Sequence, residues 1–346
     1  MNPTKLTVST RRLHADMMTP VTLYLSLRDH YTDPVLLESN ESRENEHYYS
    51  FIGLETLGSF VVDSGTIRQN FPGGRATEEH TVSGPSDVTD SLAAYLHHYQ
   101  LEGELPANFP FSNGLIGHAN YESVQYFDTL EYDPARRPDR TPDLRYHLYR
   151  FIIAVHHFRD TLYILENRPA GEPSRLDEIE HHIWARQFAV HPFHITGEET
   201  STMTDAAYRD LVSKGKHHCR RGDVFQIVLS RRFRQGFRGD EFQVYRALRS
   251  INPSPYLFFF DYGDYRIFGS SPEAQLVVRD GRARLNPIAG TYRRTGHAAA
   301  DAAAARALLA DPKENAEHIM LVDLARNDLS RHTAKVRVTE LKDIHY

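Results

Sequence analysis

An α+β architecture with an antiparallel sheet is the fold class this 346-residue sequence predicts, on three observations. Segments of β-type alternation are short and are joined by hairpin signals such as Arg159-Asp160 and Asp280-Gly281. Helical patterns gather in runs of their own. Strand and helix do not alternate as a doubly wound sheet requires.

In chain order, Val21 to Leu27 alternates and reads as a strand, and a helical pattern follows near Asp90 to His98. Tyr149 to Val155 and Thr161 to Leu165 pair through the Arg159-Asp160 turn, and Leu176 to Phe188 returns to helix. Periodicity lapses from His191 to Met203, the expected joint between a first region, 1–190, and a second, 204–346. There, Asp205 to Cys219 reads as a helix stopped at Gly222-Asp223, and Val224 to Ser230 as a strand. Another helix ends before Asn252-Pro253-Ser254-Pro255, whose prolines forbid its continuation. A meander of Tyr256 to Asp261, Tyr265 to Gly269 and Ala274 to Arg279 follows, and Asp280-Gly281 turns it into Arg282 to Ile288. Helix resumes at His297 to Ala310 and again after Pro312, and a short strand is expected at Lys335 to Thr339.

Composition removes several function classes. A net charge of -6 with dispersed Lys and Arg leaves no basic footprint, so nucleic acid is not an expected partner. No apolar run approaches the roughly 20 residues needed to span a bilayer, and the first residues lack the apolar core of a secretory signal. A cytoplasmic protein without a membrane partner is therefore expected. The single cysteine, Cys219, fits a reducing compartment and has no Cys/His metal spacing around it. Adjacent histidines, as at His97-His98 and His217-His218, point to different sides and make poor metal sites.

The run from Lys313 to Leu329 carries the chemistry. Glu314 and Glu317 are three residues apart, hence neighbours on one helix face, with Ile319 on the opposite side. A helix apolar nearly all round at its centre is expected to pack on both sides, where ionised carboxylates need a partner. Paired acids of this kind are the oxygen ligands that Mg2+ accepts, alongside water and substrate oxygens. The alternative is a pair of solvated first-turn acids favoured by the helix dipole after Pro312.

Five segments in this order and spacing closely resemble the chorismate-utilising enzymes: Gly222-Asp223-Val224-Phe225-Gln226-Ile227, Asn252-Pro253-Ser254-Pro255-Tyr256, Gly269-Ser270-Ser271-Pro272-Glu273, Pro287-Ile288-Ala289-Gly290-Thr291, and the carboxylate helix. Leu36-Leu37-Glu38-Ser39 and Tyr49 to Gly53 extend the likeness upstream, and it is greatest to component I, the large subunit of anthranilate synthase. The resemblance implies an antiparallel β-sandwich-like core with helices outside and an active site in the cleft between the layers. It further implies that chorismate and ammonia become anthranilate and pyruvate, the first step of tryptophan biosynthesis, under tryptophan feedback. Gly290 and Thr291 would bind chorismate, Glu317 would ligate Mg2+ directly, and Glu314 would act through water. Glu273 would be the general acid if burial raises its pKa. Glu38, Ser39, Pro255, Tyr256 and Leu257 would bind tryptophan.

Ala289 is the sharpest discriminator within that resemblance. Aminodeoxychorismate synthases, the first alternative, carry a nucleophilic lysine there, and Lys313 is the only nearby substitute. Gln226 likewise fits the amine-adding members, since the water-adding ones use a lysine in that strand. Cys219 lacks the setting of a glutaminase nucleophile, so ammonia is expected from a separate glutamine amidotransferase subunit, component II. The family usually runs on beyond the point matching Tyr346, so a fragment with an incomplete sandwich and unpaired strand edges is expected. A non-catalytic tryptophan-binding fragment is the second alternative.

Overall fold

A computed structural model describes residues 3–39, 49–73, 76–103, 105, 113–130, 132–133 and 141–344. Its centre is a pair of long antiparallel strands, β3 (Tyr49–Asp63) and β8 (Leu144–His156), in register from Tyr49 opposite His156 to Val62 opposite Leu144. Around them an 11-stranded sheet forms, with β1 (Thr4–His14), β2 (Val35–Ser39), β4 (Thr66–Asn70), β5 (Glu78–Thr81), β6 (Tyr99–Glu102), β7 (Leu115–Ala119), β9 (Thr161–Pro169), β12 (Tyr256–Asp261) and β13 (Arg266–Ser271). Only the β1–β6 pair is parallel among the described ladders. The α+β class with antiparallel strands is therefore as expected. β12 and β13 come from the second expected region yet pair with β2 of the first, through Tyr256 opposite Ser39 and Leu257 opposite Glu38.

A bulge between Thr56 and Gly58 divides the central ladder, and Glu55 beside it takes the left-handed conformation, φ 61°. On one side of the bulge β3 and β8 pair outward with β2 and β9, on the other with β4 and β7. Each half has its own core. The first is packed under α1 (Pro20–Leu27), α3 (Leu176–Ala185) and α5 (Phe242–Ile251), with Phe151, Ile153, Leu36 and Phe259 buried against Tyr24, Ile179 and Phe242. The second gathers Phe60, Val62 and Ile67 under Val88 and Tyr95 of α2 (Asp87–His97). Successive residues face opposite sides, so Ile152 and Leu165 join Val35 and Phe260 in a third cluster on the reverse face.

Buried charge clusters at the junction. Glu166 is fully buried and accepts from Arg150 Nε and Nη2 at 3.3 Å, from the Ser174 hydroxyl at 2.6 Å and from the Arg175 amide at 2.9 Å. Arg175 in turn holds Glu55 at 2.7 Å, tying the bulge to the start of α3. In the other half, His147 accepts at Nε2 from Arg145 Nε, 3.0 Å away, which leaves Nδ1–H to donate to the Thr56 hydroxyl at 2.8 Å. Burial first, and the Arg145 charge second, push His147 down to about 3. The native state keeps this ring neutral while the unfolded chain takes up a proton below about pH 6.5. Stability is therefore intact above that pH and declines as the pH falls toward 3, by about 2 kcal/mol at pH 5 from this residue. Urea unfolding from pH 7 to 4 should show that loss, and His147→Gln should flatten the slope; an equally steep slope in the variant would remove this residue as its source.

Several elements differ from expectation. Val21 to Leu27 is not a strand but α1: Thr19 and Thr22 close a capping box, Pro20 sits at N1, and burial on nearly every side erases a helical polarity pattern. The joint at 191–203 contains β10 (Phe193–Ser201), paired with β11 (Phe233–Gly239). α4 (Asp205–Arg221) stops at Gly222 in the left-handed conformation, as expected. Val224 to Ser230 then forms no strand, because no described strand offers it a ladder; Ile227 and Leu229 instead lie along Gly215 of α4, leaving Phe225 and Val228 exposed. The Asp280-Gly281 hairpin forms, with both residues at positive φ between β14 (Val277–Arg279) and β15 (Arg282–Arg284). α6 (Ala298–Ala310) and α7 (Pro312–His332) follow, and Lys335 to Thr339 is not a strand. None of the described helices is long and apolar enough to cross a membrane.

Candidate functional site

Two motifs far apart in sequence meet at the start of α7. Asp311 caps this helix by accepting from the amides of Lys313 at 2.9 Å and Glu314 at 3.2 Å, and these bonds hold its carboxyl below the usual range. Its other oxygen accepts from the Tyr292 hydroxyl at 3.0 Å, which ties the segment after Gly290 to the helix. Gly290 itself has φ 74°, and a Cβ there would lie 3.0 Å from Glu314 Oε2 and 3.1 Å from Leu308. Only glycine combines that conformation with so close an approach. Thr291, the next residue, is exposed beside it.

Glu314 and Glu317 share the first turns of α7 and differ in surroundings. The Lys313 ammonium donates to Glu314 Oε1 at 2.8 Å. That bond raises the Lys313 pKa and engages its amine with the carboxylate. Glu317, with Ala316 and Met320, lines an open cleft of about 700 Å³ that is walled on the other side by Gln226, Ile227, Gly215 and Cys219. No residue of α7 is buried, so the expected packing on both sides is not found, and the helix presents its carboxylates from a half-exposed face. Glu273 lies on the loop after β13 and is exposed; its backbone carbonyl accepts from the Ser271 hydroxyl at 3.1 Å. The burial that its acid role requires is not provided by the described residues.

Among the described residues no group of three or more His, Cys, Asp or Glu side chains converges on one point. The fit to a metal therefore rests on Glu314 and Glu317, two hard oxygen donors beside a cleft. That is a sufficient protein contribution for Mg2+, which keeps several waters and takes its other ligands from substrate, and an insufficient one for a site closed by protein alone.

The residues expected to bind tryptophan are assembled elsewhere, on the β2–β12 ladder, with Ser39 opposite Tyr256 and Glu38 opposite Leu257. Glu38 is buried. It accepts from the Tyr245 hydroxyl at 2.6 Å and from Arg249 Nε at 2.9 and 3.1 Å, both on α5. Sequence reading passed over Tyr245 and Arg249, although their spacing of four places them on one helix face.

Known proteins resemble this chain over most of its length. The family model of the chorismate binding enzyme matches residues 58–346. Anthranilate synthase component 1 of Acinetobacter calcoaceticus is 34% identical over 347 residues, covering 95% of this chain and 69% of its own length. The protein of the same name from Aquifex aeolicus is 31% identical, covering 94% and 68%. The crystal structure of anthranilate synthase component I from Streptococcus pneumoniae superposes with a TM-score of 0.64 at 28% identity, over 93% of this chain and 68% of that one.

Proposed function

The chain belongs to the chorismate-binding enzyme family, as a chorismate-utilising enzyme of the anthranilate synthase component I type, and from that premise we propose that it makes anthranilate and pyruvate from chorismate and ammonia. The observation that carries this reading is that α7 brings two motifs to its first turns: Glu314 lies against Gly290, and Glu317, three residues on, lines a cleft together with Gln226.

In this reading Gly290 lets backbone approach a substrate carboxylate, and Thr291 donates its hydroxyl to it. Glu317 would hold Mg2+ directly and Glu314 through water. The ion, when bound, supplies Lewis-acid polarisation and charge neutralisation for a ring carboxylate. Ammonia forms a C–N bond at ring C2 while the 4-hydroxyl leaves as water, taking its proton from Glu273 once bound substrate covers that side chain. The aminated ring then loses its enolpyruvyl group as pyruvate and becomes aromatic. A separate glutamine amidotransferase subunit supplies the ammonia, and tryptophan bound at Glu38, Ser39, Pro255, Tyr256 and Leu257 restrains the reaction. Region 1–190 would then be chiefly regulatory and 204–346 catalytic, in a cytoplasmic enzyme.

Product identity tests the proposal at Ala289. The full-length protein given chorismate, Mg2+ and ammonium should yield fluorescent anthranilate. Ala289→Lys should lower that yield by at least about tenfold, because an amine facing C2 competes with ammonia for the same carbon. Anthranilate at the wild-type rate from the lysine variant would separate Ala289 from the choice of product.

A further inference from the structure

Glu38 is the one carboxylate among the residues proposed to bind tryptophan, hence the seat for its ammonium, and it already has a cation on it. Glu38 has a side chain only 1% exposed, closed over by Tyr245 and Arg249. Among the described residues Arg249 is its sole ion-pair partner. His157, the neighbouring imidazole, is kept from supplying a second charge, since burial lowers its pKa. A ligand ammonium cannot reach Glu38 while both covers stay in place. Tyr245 is fixed: it is fully buried, with its ring stacked on Phe242 at 5.4 Å and edge-on to Phe259 at 5.5 Å. Arg249 is free to leave, for it sits in the last turn of α5 with 39% of its side chain in solvent.

We propose that Arg249 is the gate of the effector site, its guanidinium occupying the ammonium seat at Glu38 until an α-amino acid displaces it. The proposal rests on the tryptophan-site reading above and deepens it. Exchange of cation for cation leaves the buried carboxylate paired throughout, which avoids the large cost of stranding it. It also makes the site selective: an indole without an ammonium cannot replace the arginine, however well its ring fits against Tyr256. Displacement further loosens the end of α5. Asn252 follows directly, its carbonyl accepting from the Ser270 hydroxyl at 2.8 Å on β13, three residues before Glu273.

Titration calorimetry on the intact chain with L-tryptophan, and with indole-3-propionate as the probe lacking an ammonium, tests the gate. Removing an internal competitor raises the binding-competent fraction, so Arg249→Met should bind tryptophan about tenfold more tightly and indole-3-propionate no more tightly than wild type. Arg249→Lys, which retains a cation, should stay near wild type. Tighter tryptophan binding by the methionine variant supports the gate. Unchanged or weaker binding, with Ser39→Phe still abolishing it, overturns the gate and leaves the site standing. No tryptophan binding by wild type, or full binding by Ser39→Phe, overturns the site and the gate with it. Should Arg249→Met fail to fold, the Arg249 Nε–H resonance of the wild-type protein decides: it should move to a solvent-exchanging position on saturation with tryptophan, and a resonance that stays put overturns the proposal.

Discussion

Glu317→Gln in the full-length protein is expected to reduce Mg2+-dependent anthranilate formation by at least about a hundredfold, since even the outer partners of a metal site are worth 10–100-fold. Glutamine keeps the shape of the side chain and removes its charge, the property a dication demands. Glu314→Gln should cost less, about tenfold, because its carboxylate already answers to Lys313 at 2.8 Å and backs Gly290. The ordering is as informative as the size. A Glu317 variant with wild-type rate and unaltered magnesium titration would remove the metal from this helix, and a Glu314 variant worse than the Glu317 one would exchange their roles.

For stability, the largest effect is expected at Arg150. Truncation to alanine leaves Glu166 fully buried with, among the described residues, only the Ser174 hydroxyl and the Arg175 amide as donors. Breaking a buried pair from one side costs about 3–5 kcal/mol, whereas replacing both members with apolar residues of similar volume is often neutral. Arg150→Ala should therefore lower the urea midpoint of the chain sharply, and Arg150→Met with Glu166→Leu should recover most of it. Equal midpoints for wild type and the alanine variant would show that Glu166 is adequately held without its arginine.

What could be read beforehand follows from which signals are local. The Asp280-Gly281 turn, the helix stop at Gly222 and the proline break after α5 each depend on residues within a few positions, and all three appear as expected. Val21 to Leu27 was misleading because a helix buried almost all round loses its 3.6-residue polarity, while its capping box at Thr19 and Thr22 was there to be read. Val224 to Ser230 has strand composition without a strand to pair with among the described residues. Among the site residues, spacing alone gave Glu314 and Glu317 as a pair. That Gly290 and Glu314 would serve one site came from family resemblance, and their close approach was not foreseen, because no period in the sequence links a loop to a helix start more than twenty residues later. Arg249 was missed for the same reason: its partner lies 211 positions away on β2.

The central ladder sets how this protein reaches its native state. Tyr49 pairs with His156 and Val62 with Leu144, so its two strands meet only after a loop of roughly eighty to a hundred residues has closed. Such contacts are unrewarded until late, and chains dominated by them fold on millisecond-to-second scales. The ladder also runs under both core clusters, so neither half gains its full burial before the other has begun to form. In exchange experiments the amides of β3 and β8 should be the last to take up deuterium, opening only with the whole region. During synthesis, β3 must wait for the ribosome to deliver β8, and the interval exposes Phe60, Val62 and Ile52 to the cell's chaperones.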